Sequence, residues 1–179
     1  MLQKSSVWKT ASVFFLNPTK KHYLKEISRE ISLAHTSVKN NIMDLIKEGI
    51  IKQEIEQRGS RRFPMYSADL RNPSYKKYKQ VFNLMSIMES GLIEHIGDKL
   101  MPKAIVLFGS YRKGEDIEDS DIDLFVECRE ADIDLDGYRK KLRRQIQLHF
   151  NEDFHTYPKE LRNNILNGVV LHGFLEGIR

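Results

Sequence analysis

The sequence predicts an α+β protein in two parts: a helical front segment closed by a β-hairpin, then a back α/β module built on a mixed sheet. Three observations predict it. Apolar residues recur at helical spacing up to Gly49 and then change to a strand-like pattern. Further on, a short apolar run from Lys103 to Phe108 enters a Gly-Ser pair, and a second apolar stretch follows with Asp-x-Asp. Charge also divides the chain: residues 1–70 hold 12 Lys/Arg against 7 Asp/Glu, whereas residues 71–179 hold 17 against 18.

At 179 residues the chain is long enough for one medium domain or two small ones. Hydrophobic residues at 40% and charged residues at 30% fit a globular chain and not a disordered one. No run of about 18 apolar residues is present, so no membrane partner is expected. The opening MLQKSSVWKT lacks the apolar core of an export signal, and Cys128, alone, has no intrachain disulfide partner. A cytoplasmic location is the expectation.

In the front segment, Ser6 to Leu16 carries Val7, Trp8, Ala11, Phe14 and Phe15 at helical spacing before Asn17-Pro18 stops it. Tyr23 to Ile31 places Leu24, Ile27 and Ile31 on one stripe, and Ser32-Leu33-Ala34 is a turn. His35 to Glu48 points Val38, Ile42, Leu45 and Ile46 one way. Its other face offers Thr36, Ser37, Lys39, Asn40 and Lys47 to phosphates or base edges. Past the helix-ending Gly49, residues 50–55 and 62–66 read as strands around a Gly-containing turn with Arg58, Arg61 and Arg62. This order resembles a winged helix-turn-helix over residues 1–70. The resemblance implies DNA binding, with a helix in the major groove and wing arginines on phosphates or in the minor groove. Winged helices also serve as protein-binding modules, and that alternative stays open.

Residues 71–102 form a connector. Asn72-Pro73 signals a turn, and Tyr75, Tyr78, Val81, Phe82, Met85, Met88, Leu92 and Ile96 then keep a helical rhythm, with Gly91 and Gly97 able to interrupt it. Either a helix packed on its neighbours or a homodimer-forming helix fits.

The back module, residues 103–179, carries the chemistry. Lys103–Phe108 reads as a buried strand entering Gly109-Ser110-Tyr111-Arg112-Lys113-Gly114. Ten residues separate Ser110 from Asp121, which opens Asp121-Ile122-Asp123-Leu124-Phe125-Val126. Glycine at 109 admits close backbone approach, and a following helix start offers N–H donors. Strand alternation puts Asp121 and Asp123 on one face, about two rises of roughly 3.3 Å apart, while Ile122, Leu124 and Val126 face a core. Two carboxylates so spaced suit Mg²⁺ or Mn²⁺ and the phosphates of a nucleotide. Strand, Gly-Ser, short helix and Asp-x-Asp strand together resemble the signature of polymerase-β-type nucleotidyltransferases, most closely their minimal prokaryotic and archaeal members. The resemblance implies a Mg²⁺-dependent enzyme using a nucleoside triphosphate (NTP). Asp121 and Asp123 would be catalytic and metal-holding, and Gly109 and Ser110 would hold phosphates. Arg112 and Lys113 either contact the triphosphate or lie on a solvated helix face. Cys128 reads as an ordinary thiol, without a partner to activate it.

One departure stands out. Relatives usually bring a third carboxylate on a later strand; here residues 145–150 are that strand, and its site face offers Gln147 or His149. Gln147 cannot take a proton from an attacking hydroxyl. His149, or Glu152 and Asp153 just beyond, would have to substitute, or catalysis is impaired. The tail reads as a helix with Pro158 first, ending near Gly168, then a last strand with His172.

The leading functional expectation is nucleotidyl transfer from an NTP to an acceptor hydroxyl on a protein partner, an RNA end or a small molecule. The rival is a transcriptional regulator, antitoxin-like as the resemblance suggests, whose transferase-like module senses nucleotide or binds a partner. RNA delivery by the front segment ranks last, because residues 20–62 offer few aromatics for stacking.

Overall fold

The computed structural model describes residues 5–176; the start of the export reading, Met1–Lys4, lies outside them. Eight α-helices and two sheets, one of them mixed, make an α+β architecture among the described residues. The chain divides into two compact units, Met1–Phe82 and Asn83–Arg179. No described helix is long and apolar enough to cross a membrane.

The front unit begins with α1 (Ser6–Leu16), whose first turn is capped by Ser5 Oγ accepting from the Trp8 N–H at 3.1 Å. A two-residue strand β1 (His22–Tyr23) leads into α2 (Leu24–Glu30), and α3 (His35–Lys47) follows the short turn. The hairpin β2 (Ile51–Arg58) and β3 (Arg61–Ala68) completes a sheet in the order β1-β3-β2. The hairpin is longer than the alternation suggests, because Arg58 pairs with Arg61 and only Gly59-Ser60 remain as the turn. Phe14, Phe15, Ile27, Val38, Ile42 and Leu45 fill the core. The first turns of α4 (Pro73–Ser90) close it: Tyr75 Oη donates to the Phe14 carbonyl at 3.1 Å, and the buried Lys79 ammonium donates to the Phe15 carbonyl at 3.0 Å.

The single connector rhythm resolves into two helices. Gly91, at φ +80, ends α4, and α5 (Leu92–Leu100) starts afresh and runs through Gly97. A left-handed residue cannot continue a right-handed helix, and glycine adopts that conformation without a Cβ penalty.

In the back unit the sheet runs β6-β5-β4-β7. Strand β4 (Ala104–Phe108) is antiparallel to both β5 (Ile122–Val126) and β7 (Val169–Gly173); β5 is parallel to β6 (Ile146–Phe150). Both faces are covered. Ile105, Leu107, Ile122, Leu124, Val126 and Ile146 pack in one cluster with α5 and with α7 (Asp136–Leu142). Val106, Phe108 and Phe125 pack with Phe154 and with Ile165 of α8 (Lys159–Leu166). Helix α7 has no counterpart in the sequence reading, since Tyr138 and Leu142 are too few to make an apolar stripe. Pro158 caps α8 instead of being its first helical residue.

Candidate functional site

The Gly-Ser pair does not form a turn ahead of a helix; it is the first turn of α6 (Gly109–Lys113). Gly109 sits at φ +74, and a Cβ there would lie 2.2 Å from Asp123 Oδ2 and 3.0 Å from its Cγ. Sequence reasoning assigned that open space to a phosphate; the carboxylate of Asp123 occupies it. Glycine at 109 is thus required twice, for its left-handed backbone and for the seat it gives Asp123.

Asp123 lies on β5 with Phe108 of β4 as its antiparallel partner and Gln147 of β6 as its parallel partner. Asp121 precedes β5 by one residue, so strand alternation does not set its direction; its side chain is half-buried. Ser110 and Arg112 are half-buried and Lys113 is exposed, all three on α6.

Gln147 stands beside Asp123 in the sheet and is exposed. His149, two residues on, brings Nε2 to 3.4 Å from Asp123 Oδ1 and sets its ring edge-on to Phe108 at 5.1 Å between centroids. Glu152 and Asp153 follow the opposite end of β6, where Phe150 pairs with Val126, and Asp153 caps a 3₁₀ turn by accepting from the His155 N–H. His149, and not Glu152 or Asp153, is thus the candidate base whose side chain meets Asp123. Among the described residues no three His, Cys, Asp or Glu side chains form a group that could hold a metal ion.

A buried network that sequence reasoning missed holds the loop between α6 and β5. Asp116 Oδ1 accepts from Asn83 Nδ2 at 2.8 Å, and the same amide donates to the Tyr111 carbonyl at 2.7 Å. Arg144 approaches Asp116 Oδ2 at 3.5 Å, with both side chains almost wholly buried. Burial first, and the Asp116 charge second, push the Tyr111 phenol well above its ordinary pKa. In the sequence Asp116 stands in an acidic run, Glu115 to Asp119, and nothing there distinguishes it from its surface neighbours.

On the front unit, Thr36, Lys39 and Asn40 of α3 are exposed and Ser37 is half-buried. The three arginines at the hairpin tip are not equivalent. Arg58 donates to Glu56 at 2.8 Å and to the Tyr23 hydroxyl at 2.7 Å, and its guanidinium lies 5.5 Å from the Tyr23 ring centre. Tyr23 also bonds Glu56, and these two donors hold the Glu56 carboxyl below its usual range. Arg61 and Arg62 are exposed.

No curated protein matches the chain in sequence. Among solved structures, a possible transcriptional regulator from Methanosarcina mazei Go1 is similar at 15% identity and a TM-score of 0.36, over 55% of this chain and 78% of that one. Residues 89–172, which contain α6, β5 and β6 with Gly109, Asp121, Asp123 and His149, match the family model of the nucleotidyltransferase domain.

Proposed function

We infer that the back unit binds a nucleoside triphosphate and transfers its nucleotidyl group to an acceptor hydroxyl, and that the front unit, a winged helix, binds DNA. The observation that carries the transfer reading is Asp123 seated against the left-handed Gly109 at the start of α6, two residues after Asp121. The donor set fits Mg²⁺, which is commonly held by one or two carboxylates with the remaining positions filled by substrate phosphates and water. Asp121 and Asp123 would supply those oxygens; Mn²⁺ would accept them as well. The bound ion would neutralise the triphosphate and orient the α-phosphorus.

The chain's own residues account for the rest. The Gly109-Ser110 backbone and the Ser110 hydroxyl supply neutral donors to phosphate, with Arg112 and Lys113 the nearest cations on the same helix. His149 orients Asp123 through the 3.4 Å contact. With Nε2–H directed at Asp123, Nδ1 is the nitrogen that would accept the proton of the attacking hydroxyl, the role Gln147 cannot take.

Gln147 supports a second reading, a regulator whose back unit binds nucleotide without turnover. Transfer of α-³²P label from each NTP to protein and RNA acceptors, with Mg²⁺ and Mn²⁺, separates the two. The transfer reading expects labelling that His149→Ala abolishes and Gln147→Asp preserves or raises. Absence of label in wild type and in Gln147→Asp alike would leave only the second.

DNA binding is supported by the order helix, helix, basic hairpin and by the exposure of Lys39, Asn40, Arg61 and Arg62. Duplex affinity should fall steeply with salt, as binding to phosphates does.

A further inference from the structure

Residues 139–144 read Arg-Lys-Lys-Leu-Arg-Arg, the densest cationic run in a half of the chain whose net charge is −1. The structure sorts them. Lys141 donates to the Glu89 and Ser90 carbonyls at 3.0 and 2.8 Å, and Leu142 is buried. Arg139, Lys140, Arg143 and Arg144 instead line one cavity of about 380 Å³ together with Ser120 and Gln145. Its remaining lining is Glu118 and Asp119, so no apolar or aromatic side chain takes part.

The cavity adjoins the transfer site. Ser120 is followed by Asp121, and the Gln145 carbonyl accepts the Ile122 N–H at 2.8 Å, tying the cavity wall to the start of β5. Two guanidiniums are fixed in advance. Arg144 is clamped by Asp116, and Arg139 is held by Asp136 at 2.7 Å while its own Nε is buried with no acceptor. Arg143 caps α7 at φ +54, a position where glycine carries no steric penalty. Its side chain is exposed at that position.

The geometry points to this cavity as a phosphate-binding subsite for the acceptor, separate from the Gly109-Ser110 turn of α6. It rests on the transfer reading above and adds the acceptor's chemistry: a phosphate ester close to the attacking hydroxyl. Guanidiniums in fixed directions suit phosphate oxygens. With nothing to stack on, the cavity reads the phosphate and not a base.

The probe is inorganic pyrophosphate, titrated calorimetrically into the full chain in EDTA, so that metal-dependent binding is silent. Wild type and Asp121→Asn/Asp123→Asn should bind alike, and Lys140→Ala/Arg143→Gly should bind at least tenfold more weakly. Because Arg143→Gly removes a side chain from a left-handed position, its melting temperature should not fall. Equal pyrophosphate affinity in a folded Lys140→Ala/Arg143→Gly protein, or no binding by wild type, would overturn the subsite. Failure of Mg·NTP binding with pyrophosphate binding intact would overturn the transfer reading alone. Cross-linking of a single-stranded 12-mer carrying 4-thiouridine then separates the sources. Adducts within residues 136–145 that Arg143→Gly removes assign the phosphate to a nucleic-acid strand; adducts confined to residues 35–62 assign it to a small phosphorylated acceptor.

Discussion

Replacing Gly109 by alanine separates the stability of the back unit from the integrity of its site. The new Cβ would arrive 2.2 Å from Asp123 Oδ2, 3.0 Å from Cγ and 3.3 Å from the Asp123 Cβ. The two closest atoms are the end of a rotatable side chain, so Asp123 can swing away and the fold need not open. The unavoidable cost is a non-glycine residue at φ +74, about 1–2 kcal/mol. For a unit of this size that lowers the melting midpoint by roughly 4–8 °C per kcal/mol. The functional cost is larger, because the displaced carboxylate leaves both its seat and its place beside His149. On the proposed function, losing one of the two carboxylates assigned to the metal should weaken Mg²⁺-dependent NTP binding by more than tenfold, a loss beyond about 1.4 kcal/mol. Circular dichroism melting and calorimetric titration of the same preparation read the two effects. In an Asp123→Ala background the substitution should retain its stability cost and show no further effect on binding. A Gly109→Ala protein that binds Mg·NTP like wild type would refute the claim that this glycine exists to seat Asp123.

Arg58→Ala should weaken duplex DNA binding less than Arg61→Ala or Arg62→Ala, because Glu56 and Tyr23 already engage its guanidinium. Fluorescence anisotropy across a salt series reads this as a slope reduced by about one unit for each arginine–phosphate pair that a substitution removes; an equal or larger effect at Arg58 would contradict it. Asp116→Ala strips the buried Arg144 of its counter-charge and Asn83 of an acceptor, and should destabilise the back unit by about 3–5 kcal/mol in urea unfolding. A loss under about 1 kcal/mol would show that the network does not hold the α6–β5 loop. Burial, and after it the Glu152 charge, push the Cys128 thiol up, so less thiolate is present at any pH below that raised value. Iodoacetamide at pH 8 should therefore label Cys128 more slowly than an unstructured peptide thiol, and Glu152→Gln should quicken it; rapid labelling of wild type would count against the assigned environment.

The helices of the front unit were legible because Phe14, Phe15, Ile27, Val38, Ile42 and Leu45 keep 3.6-residue spacing and meet in one core. The strands around the site were legible for a different reason. Alternation along β5 sends Leu124 and Val126 to one cluster and Phe125 to another, and that leaves Asp123 on the Phe125 face. What stayed hidden depends on pairings between distant residues. The carboxylate seated on Gly109 comes from a residue 14 positions away, and spacing gives no hint of the 2.2 Å approach. Asn83, Asp116 and Arg144 come from three separate segments, and each reads as surface on its own. Helix α7 was hidden because its stability comes from tertiary packing and from acidic-start, basic-end charge placement (Asp136 against Arg139, Lys140 and Lys141) with little apolar periodicity of its own. The one-residue offset of Asp121 from β5 reflects the limits of alternation at a strand end, where pairing no longer fixes direction.

The central claim is that Asp121, Asp123 and the Gly109-Ser110 turn form a working nucleotide site. Calorimetric titration with ATP, CTP, GTP and UTP, with and without Mg²⁺, tests it most directly when wild type is run beside Asp121→Asn/Asp123→Asn. The account predicts binding of at least one triphosphate that requires the metal and disappears in the double variant. A folded wild-type protein that binds none of the four, or a double variant that binds as well as wild type, would contradict it.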